Sequence, residues 1–324
     1  MAKITKITGH PFVMRLRRLN YVNIAVYTAL ILISYQFLYP LLRMVSMSMM
    51  SSDDIINPAV NWIPTSLSFH NFTSAWRVLN PRTTMWNSIW FSGLLAICQT
   101  IVSATTGYAL ARFEFPFKKF WFFMIITSFI LPLPVMMVPR VMMVSNLQTL
   151  FQEVQWLPDI VLFGSIWPQT ALAIGGQGVF SAILILIFYN FTKMIPIALD
   201  EAAAIDGASS VQTFYHVILK LSVTTLLVVF LFSFVWNWNE TMVTNTFLRG
   251  ILELIPHRLG RFESEFAHFA GLATGVGAGL EEMRINEAYR MSGTLIAIFP
   301  LFVLYLVVQK QFIKGIENTG LTGL

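Results

Sequence analysis

The stretch DEAAAIDGAS, residues 200–209, separates two long apolar runs of the chain. The runs cover residues 160–192 and 221–239 and contain no Asp, Glu, Lys or Arg. Each has close to, or more than, the roughly 20 residues that a helix needs to cross the hydrocarbon core of a bilayer. A short charged segment, broken by glycine and lying between two such runs, offers a surface that a soluble partner protein can grip.

Composition indicates that the whole chain belongs in a membrane. Of its 324 residues, 56% are hydrophobic and 11% are charged, whereas charged residues make up about 25% of a typical soluble protein. Six uncharged apolar runs are long enough to span, at residues 19–42, 88–111, 120–139, 160–192, 221–239 and 291–309. The sequence therefore predicts an all-α membrane protein with six transmembrane helices, in which residues 19–324 form one domain after an N-terminal segment of residues 1–18.

The distribution of basic residues predicts the orientation, because Lys and Arg accumulate in the short cytoplasmic loops of membrane proteins. They cluster before the first run, between the second and third runs, and after the sixth run: Lys3, Lys6, Arg15, Arg17, Arg18, Arg112, Lys118, Lys119, Lys310 and Lys314. Both termini and the loop 193–220 are therefore expected in the cytoplasm, and the loops 43–87, 140–159 and 240–290 outside. The first run exceeds the roughly 7 to 15 residues of a signal-peptide core and should remain as an anchor.

Signals of catalysis are missing from the sequence. It contains no GxxxxGK[ST] phosphate loop, so ATP hydrolysis by this chain is not expected. The five His residues form no HExxH pair and lack metal-ligand spacing, and we interpret them as surface or loop residues. We therefore predict no catalytic residue, metal site, resident cofactor or nucleic-acid partner. The apolar runs also lack the ionisable relay groups that proton-coupled transporters use, which leaves sodium coupling through backbone carbonyls open.

The pattern of residues 196–207 predicts a short helix with a sharp end. Pro196 disfavours helical geometry for the residue before it and so separates this helix from the fourth run. Ala198, Ala202 and Ile205 then recur on one face, with the acidic residues beside that stripe. Gly207 is suited to end the helix in a left-handed conformation.

A second short helix is expected directly after this glycine. Ser209 or Ser210 can act as its N-cap. Apolar residues then follow at helical spacing, at Val211, Phe214, Tyr215 and Ile218. The two helices would meet at a bend where small Ala side chains let another protein approach the backbone closely.

The combination of this segment with motifs elsewhere is typical of one family. The motifs are Glu201-Ala202-Ala203, Asp206-Gly207-Ala208, Phe214, Ile218, Asn87-Ser88, Tyr108-Ala-Leu-Ala-Arg112-Phe, Trp236-Asn237, Pro300 and Gln309-Lys-Gln-Phe-Ile-Lys-Gly315. In these the chain resembles the permease subunits of binding-protein-dependent ATP-binding-cassette (ABC) importers. More narrowly, it is similar to the maltose-type carbohydrate permeases over nearly its whole length.

The resemblance implies a coupling helix at residues 201–210 that is seated in a cleft of an ATPase subunit, and a permease of the bacterial plasma (inner) membrane. The coupling residues that it implies are Glu201, Ala202, Ala203, Asp206, Gly207, Ala208, Ser209 and Phe214. It also implies two ATPase subunits that hold ATP and Mg, a second homologous permease, an extracytoplasmic solute-binding protein and contact with membrane lipid. Two departures from the family pattern are Lys220, where the family often has Pro, and the tail Thr322-Gly323-Leu324, where it often has a Lys-Gly pair.

Aromatic and amide side chains near the outer end of the fifth run are candidates for the solute path. Aromatic faces stack on sugar rings and amides satisfy hydroxyl groups, which points to Trp236, Asn237, Trp238 and Asn239. Trp residues also gather at membrane interfaces for reasons unrelated to solute, and that interpretation of the two Trp residues stays open. The long external segments resemble those of oligosaccharide importers, including alginate-type importers.

The external loop 240–290 carries arginines that could receive an anionic oligosaccharide: Arg249, Arg258, Arg261, Arg284 and Arg290. Four glycines in the same loop, Gly271, Gly275, Gly277 and Gly279, disfavour a helix there. A partly buried or re-entrant loop is the expectation.

Two functions compete with that of an importer subunit. A stand-alone secondary transporter would move solute by itself with an ion gradient. A structural or regulatory scaffold would keep its function after the segment 200–209 is replaced by a neutral linker.

Overall fold

The computed structural model describes residues 21–153, 161–274 and 287–320, and the regular structure in these ranges is helical. The predictions made for residues 1–18 and for Thr322–Leu324 lie outside them. In chain order the helices are α1 (Tyr21–Ser48), α2 (Ser52–Ile56), α3 (His70–Leu79), α4 (Pro81–Arg112), α5 (Lys118–Ile130), α6 (Leu133–Glu153), α7 (Trp167–Ile174), α8 (Ser181–Met194), α9 (Ala198–Ile205), α10 (Ser210–Thr213), a π-helical turn (Phe214–Ile218), α11 (Leu219–Leu221), α12 (Val223–Asn239), α13 (Met242–Leu248), α14 (Ile255–Gly260), α15 (Phe262–Thr274) and α16 (Glu287–Gly320). The predicted all-α class is confirmed.

Three helices of the described chain are long and apolar enough to cross a membrane alone: α1, α4 and α16. Three further pairs of helices meet the same criterion jointly but are bent at a short break, so the number of spans rises to six if each pair is one span. The pairs are α5 with α6, α8 with α9, and α10–α11 with α12. The first, second and sixth predicted runs thus correspond to single helices, and the fifth corresponds to α12 apart from its first two residues. The third and fourth runs are each divided between two helices.

The third predicted run, residues 120–139, is not one straight helix. It divides between α5 and α6, whose axes are bent by 111°. Leu131 at the break is extended, with φ −69° and ψ 125°. The cause is Pro132, which disfavours the helical region for the residue before it.

The fourth predicted run, residues 160–192, is also broken, and its first residue lies outside the described ranges. α7 ends in a Schellman motif, in which the Gln177 amide donates to the Leu172 carbonyl at 2.8 Å while Gly176 is left-handed with φ +70°. The α8 helix begins only at Ser181, after a second left-handed residue, Phe180, with φ +52°. Gly176 therefore lets α7 end completely within the apolar run.

The predicted external loop 240–290 is largely helical where it is described. It forms α13, α14 and α15, and Gly271 lies inside α15. The expectation that glycine would prevent a helix is therefore wrong for that residue, because a single glycine costs a helix only about 1 kcal/mol relative to Ala. Gly275, Gly277 and Gly279 lie outside the described residues.

The described residues form two compact units, and the smaller contains residues 21–75 and 287–295. Within it, the Asn71 amide donates to the carbonyl oxygens of Ser48 and Met50 at 3.0 and 2.8 Å. The Ser292 hydroxyl lies 3.2 Å from the same Ser48 carbonyl. Buried side chains thus satisfy the carbonyl groups that the end of α1 leaves without intrahelical partners.

The larger unit contains the described parts of residues 76–274 and 296–320 and is built around α4. α4 packs against α7, α8, α12 and α14. Gly107 permits a close approach of α4 and α8, since a Cβ at this position would lie 2.8 Å from the Tyr189 backbone nitrogen. The unit thus fixes α8 and α12, which flank the segment 200–209, to one central helix.

Candidate functional sites

The α9 helix forms a nearly open surface beside the membrane bundle. Ile195 before it is extended, as Pro196 requires, and α9 has no buried residue. The predicted apolar stripe does not pack against the bundle, because Ala198 and Ala202 are exposed and Ile205 is 87% exposed. An apolar side chain left this open at the end of a helix is available to another protein.

The end of α9 has the predicted geometry. Gly207 is left-handed with φ +82°. The Ala208 amide donates to the Ala203 carbonyl at 2.9 Å, which completes a Schellman motif. Ser209 then caps α10 and forms a reciprocal capping box with Gln212. The prediction of two short helices joined at a glycine bend is confirmed.

A polar cluster attaches α9 to the end of α4. The Arg112 Nε atom lies 3.0 Å from Asp200 Oδ2, and its Nη2 donates to the Ile195 carbonyl at 2.7 Å. The Tyr108 hydroxyl donates to Asp200 Oδ1 at 3.3 Å. The Arg112 and Asp200 side chains are only 9% and 18% exposed, so solvent screens their attraction weakly. We call Tyr108, Arg112 and Asp200 the α4–α9 clasp.

The clasp was not predicted from the sequence. Tyr108 and Arg112 lie in one family motif and Asp200 in the charged segment, and these motifs do not indicate that the three residues meet. The available signal was an arginine at the end of one apolar run and an acidic residue after another. Only the crossing of α4 and α8 shows that these two positions meet.

Phe214 anchors the helix that follows the glycine bend. It is 7% exposed, and its ring centroid lies 5.0 Å from that of Tyr108. With Ala104, Phe188, Ile195 and Ile218 these two residues form one buried cluster. The segment 200–214 is therefore held at two points, by the clasp at its start and by Phe214 at its end.

The other predicted coupling residues lie on the open side of this segment. Glu201, Ala202, Asp206, Gly207 and Ser209 are exposed, while Ala203 and Ala208 are partly buried. A concavity of about 300 Å³ lies beside the bend and is lined by Ala203, Asp206, Gly207, Ala208, Gln212, Thr213, His216 and Val217. Its small side chains leave the backbone accessible.

The residues predicted for the solute path are separated by the structure. Asn237 and Trp238 are buried, Trp236 is partly buried against Phe180, and Asn239 is exposed and donates to the Val235 carbonyl at 2.9 Å. They therefore do not form one continuous lining in this chain.

Asn237 belongs to a buried polar network around Gln99 of α4. Its amide donates to Gln99 Oε1 at 2.7 Å, and the Ser233 hydroxyl donates to the same oxygen. The Gln99 amide in turn donates to the Val179 carbonyl and to the Ser181 hydroxyl at 3.2 and 3.1 Å. The network joins α4, α8 and α12 at the break in the fourth run.

The arginines of residues 240–290 are mostly engaged where they are described. Arg258 pairs with Glu253 and Glu265 at 3.4 and 3.6 Å, and the Arg249 guanidinium lies 4.3 Å from the centroid of the Phe163 ring. Arg290 pairs with Glu287. Arg261 is exposed, and Arg284 lies outside the described residues. Within the described part of the chain, no three His, Cys, Asp or Glu residues are close enough to hold a metal ion.

Apolar helices that are long enough to cross a bilayer, together with broken spans, are typical of a multi-pass membrane protein. Residues 100–318 match the family described as "Binding-protein-dependent transport system inner membrane component". Since the match covers more than half of the chain, the protein belongs to this family of ABC transporter permeases.

Relatives and a solved structure agree with this assignment. The chain is 26% identical over 286 residues to the "Probable ABC transporter permease protein YurM" of Bacillus subtilis, covering 88% of this chain and 84% of that one. It is 26% identical to the "sn-glycerol-3-phosphate transport system permease protein UgpE" of Escherichia coli O6:K15:H31, covering 90% and 95% of the two chains. A chain of a bacterial ABC transporter "involved in the import of the acidic polysaccharide alginate" has the same fold, with a TM-score of 0.69, 21% identity and coverage of 90% and 96%.

Proposed function

We propose that this chain is a translocating permease subunit of an ATP-driven importer in the bacterial plasma membrane and that α9 is its coupling helix. The proposal depends on one observation. The α9 helix has no fully buried residue and presents most of its surface to a partner, and it is nevertheless fixed to the central helix α4 by the clasp. A partner that moves α9 would therefore move α4 as well.

The partner of α9 in this proposal is an ATPase subunit, and both termini lie on the same cytoplasmic side. The permease family supports an ATPase, a second permease and a solute-binding protein as partners. ATP and Mg are held by two ATPase subunits. The absence of a phosphate loop from the sequence supports this division of tasks.

The proposed solute is an oligosaccharide that carries negative charge. Support comes from the names of two similar proteins, one of which transports sn-glycerol-3-phosphate while the other belongs to an importer of an acidic polysaccharide. Both solutes combine hydroxyl groups with an anionic group. We propose the same combination for this chain, with an alginate-like oligouronide as the leading candidate.

Co-purification from the native membrane tests the coupling proposal. Tagged wild-type chain should retain an ATPase, a second permease and a solute-binding protein. Gly207→Pro breaks the left-handed bend and Glu201→Lys reverses a charge on the exposed face, so each should weaken retention of the ATPase about tenfold, equivalent to ~1.4 kcal/mol. Asn239→Ala changes an exposed residue far along α12 and serves as the matched control. Full ATPase retention by both variants would contradict the proposal.

A further inference from the structure

One arginine in an apolar helix makes no direct ion pair with a carboxylate of the described residues. Arg140 immediately follows the third predicted run and lies inside α6. Its Nη2 donates to the Gln177 carbonyl at 2.8 Å, and it forms no ion pair with any of the described residues. Charged side chains at membrane depth are costly and mark solute or ion paths.

Glu240 interacts electrostatically with Arg140, but its carboxylate oxygens accept hydrogen bonds from other groups and make no ion pair with the guanidinium. Glu240 accepts hydrogen bonds from the amides of Val243 and Thr244 at 2.8 and 3.0 Å, and from the Thr244 hydroxyl. Its carboxylate therefore caps α13. Arg140 retains guanidinium donors for a ligand.

Arg140 faces a cavity of about 60 Å³ at the break in the fourth run. Polar lining comes from Ser128, Arg140, Gln177 and Ser181, with the backbone of Gly178 beside them. A water needs roughly 10–15 Å³ of such volume. The cavity therefore admits a group the size of a carboxylate or phosphate but not a whole sugar ring.

The N-terminus of α8 lies at the same cavity. Ser181 and Ala182 of its first turn line the cavity, and no side chain caps this turn. The Ser181 and Ile183 amides of this turn already donate to the Gly178 and Phe180 carbonyls at 3.2 and 3.0 Å. The Ala182 amide and the partial positive charge of the helix end are left for an anion. In secondary transporters, the N-termini of broken helices point at the anionic groups of substrates. The N-terminus of α8 can attract an anionic group for the same electrostatic reason.

A buried hydrogen-bond acceptor without a partner lies next to the cavity that Arg140 faces. Gln169 is 4% exposed, and its Oε1 has no hydrogen-bond partner among the described residues, while its Nε2 donates to Thr244 at 3.2 Å. Gln169 lines a narrow cavity together with Arg140, Gln177 and Gly178, residues that the first cavity also contains. A solute hydroxyl could donate to this oxygen.

The site lies near the middle of the membrane-spanning bundle. Gln99 of α4 donates to Val179 and Ser181 beside the cavity. Gln99 is roughly 27 Å from Pro81 and 20 Å from Arg112 along the axis of α4, at ~1.5 Å per residue. Transporters bind their substrates near this depth.

We propose that Arg140 and the first turn of α8 bind the anionic group of the transported solute, a carboxylate or a phosphate, and that Gln169 accepts a hydrogen bond from one of its hydroxyls. The inference rests on the proposed importer function and makes it more specific. The arginines of residues 240–290 are less suited to this task, because Arg249, Arg258 and Arg290 already have partners.

The test uses the complete importer, purified with its partner subunits and reconstituted in proteoliposomes. Three probes are compared: a mannuronate tetramer, the same tetramer with each carboxylate reduced to a primary alcohol, and glycerol 3-phosphate. The variants are Arg140→Gln, Arg140→Lys and the matched control Arg249→Gln. ATP-driven uptake at subsaturating probe, KM and basal ATP hydrolysis are measured for each.

Arg140→Gln should lower uptake of the anionic probe about 10- to 100-fold, the contribution of a charge-assisted hydrogen bond, mainly through KM. Uptake of the carboxyl-reduced tetramer and basal hydrolysis should not fall. Arg140→Lys should be intermediate and Arg249→Gln unchanged. A loss of uptake for the mannuronate tetramer would identify the bound group as a carboxylate, and a loss for glycerol 3-phosphate would identify it as a phosphate.

Two outcomes would overturn the inference while the importer function stands. An equal loss of uptake for charged and neutral probes would show that Arg140 only donates a hydrogen bond to the Gln177 carbonyl and does not bind the anionic group. Undiminished uptake of the anionic probes by the Arg140→Gln variant would show that Arg140 has no role in solute binding. Failure of the wild-type complex to take up any probe with ATP would instead overturn the proposed solute class and the inference with it.

Discussion

Arg112 connects two helices through one guanidinium, which makes the clasp sensitive to single substitutions. Breaking a shielded ion pair from one side leaves the other charge without a partner, at a cost of about 1–3 kcal/mol. We expect Arg112→Met or Asp200→Asn to loosen α9 from α4 while leaving the exposed face of α9 unchanged. Such variants should still bind the ATPase but should move about tenfold less solute per ATP hydrolysed.

The ratio of uptake to ATP hydrolysis in proteoliposomes checks this expectation. The double variant Arg112→Met with Asp200→Asn should be less impaired than the sum of the single variants, because neither charge is then left unpaired. Lys118→Ala is the control, since it removes an ion pair with Glu114, whose side chain is 89% exposed, and such pairs contribute little. Unchanged ratios in both single variants would show that the clasp does not transmit motion.

His257 provides a second test at this scale, and it corrects the interpretation of all five His residues as surface or loop residues. It lies in α14 and is 7% exposed. Burial, reinforced by the positive charge of Arg261, lowers the pKa of His257 below its ordinary value. The neutral form is therefore favoured in the folded protein.

The sign of the pH dependence follows from this lowered pKa. The unfolded chain binds the proton more readily, so stability from His257 is present above the unfolded pKa of about 6.5 and is lost as the pH falls below it. Thermal unfolding of the purified complex should shift to lower temperature between pH 7.5 and 5.5. His257→Gln should flatten that shift, whereas substitution of the exposed His216 should not. An identical slope in His257→Gln would refute the assignment.

The backbone roles of Gly207 and Ser209 could be predicted from sequence, whereas the long-range partners of the segment 200–209 could not. Gly207 and Ser209 act through backbone geometry within four residues, so local pattern was sufficient to assign them. The clasp and the position of Arg140 depend on how α4, α6 and α8 cross. Arg140 falls just outside an apolar run because the run is defined by composition and ends at the first charged residue. The α6 helix nevertheless continues through this position.

At the scale of the elements, the break between α7 and α8 organises the polar interior of the bundle. Apolar composition over residues 160–192 predicts depth in the membrane but not helix continuity, since both halves are equally apolar. Gly178, which lies in the break, leaves space for a side chain of α4. A Cβ at this position would lie 1.9 Å from Gln99 Nε2, so the glycine leaves room for the amide that satisfies Val179 and Ser181.

Gly178→Ala should therefore displace Gln99 and disrupt its network with Ser233 and Asn237. Loss of these buried hydrogen bonds should destabilise the chain by about 1–3 kcal/mol, measured as a lower melting temperature in detergent. Gly93→Ala is a matched control on α4, because a Cβ there has no neighbour within 4 Å. Adding Gln99→Ala to Gly178→Ala should cost less than the two single effects combined. Equal stability of Gly178→Ala and Gly93→Ala would exclude this explanation of the break.

At the scale of the whole molecule, orientation decides whether α9 can meet an ATPase at all. Charge counting predicts a cytoplasmic α9 and an external loop after α12. α12 has 17 residues and so separates these segments by roughly 26 Å. The predicted sidedness follows from Lys and Arg placement alone and can be tested separately from the transport proposal.

Single-cysteine labelling supplies that test, since Cys98 is the chain's only cysteine. In a Cys98→Ser background, Ile205→Cys and Ile251→Cys place thiols at side chains that are 87% and 71% exposed. A membrane-impermeant maleimide should label Ile251→Cys in intact cells and Ile205→Cys only after permeabilisation. Retained ATP-driven uptake in both variants would confirm that labelling reports the native topology. Labelling of Ile205→Cys from outside would show that the chain has the opposite orientation to the one predicted. In that case α9 could not bind a cytoplasmic ATPase.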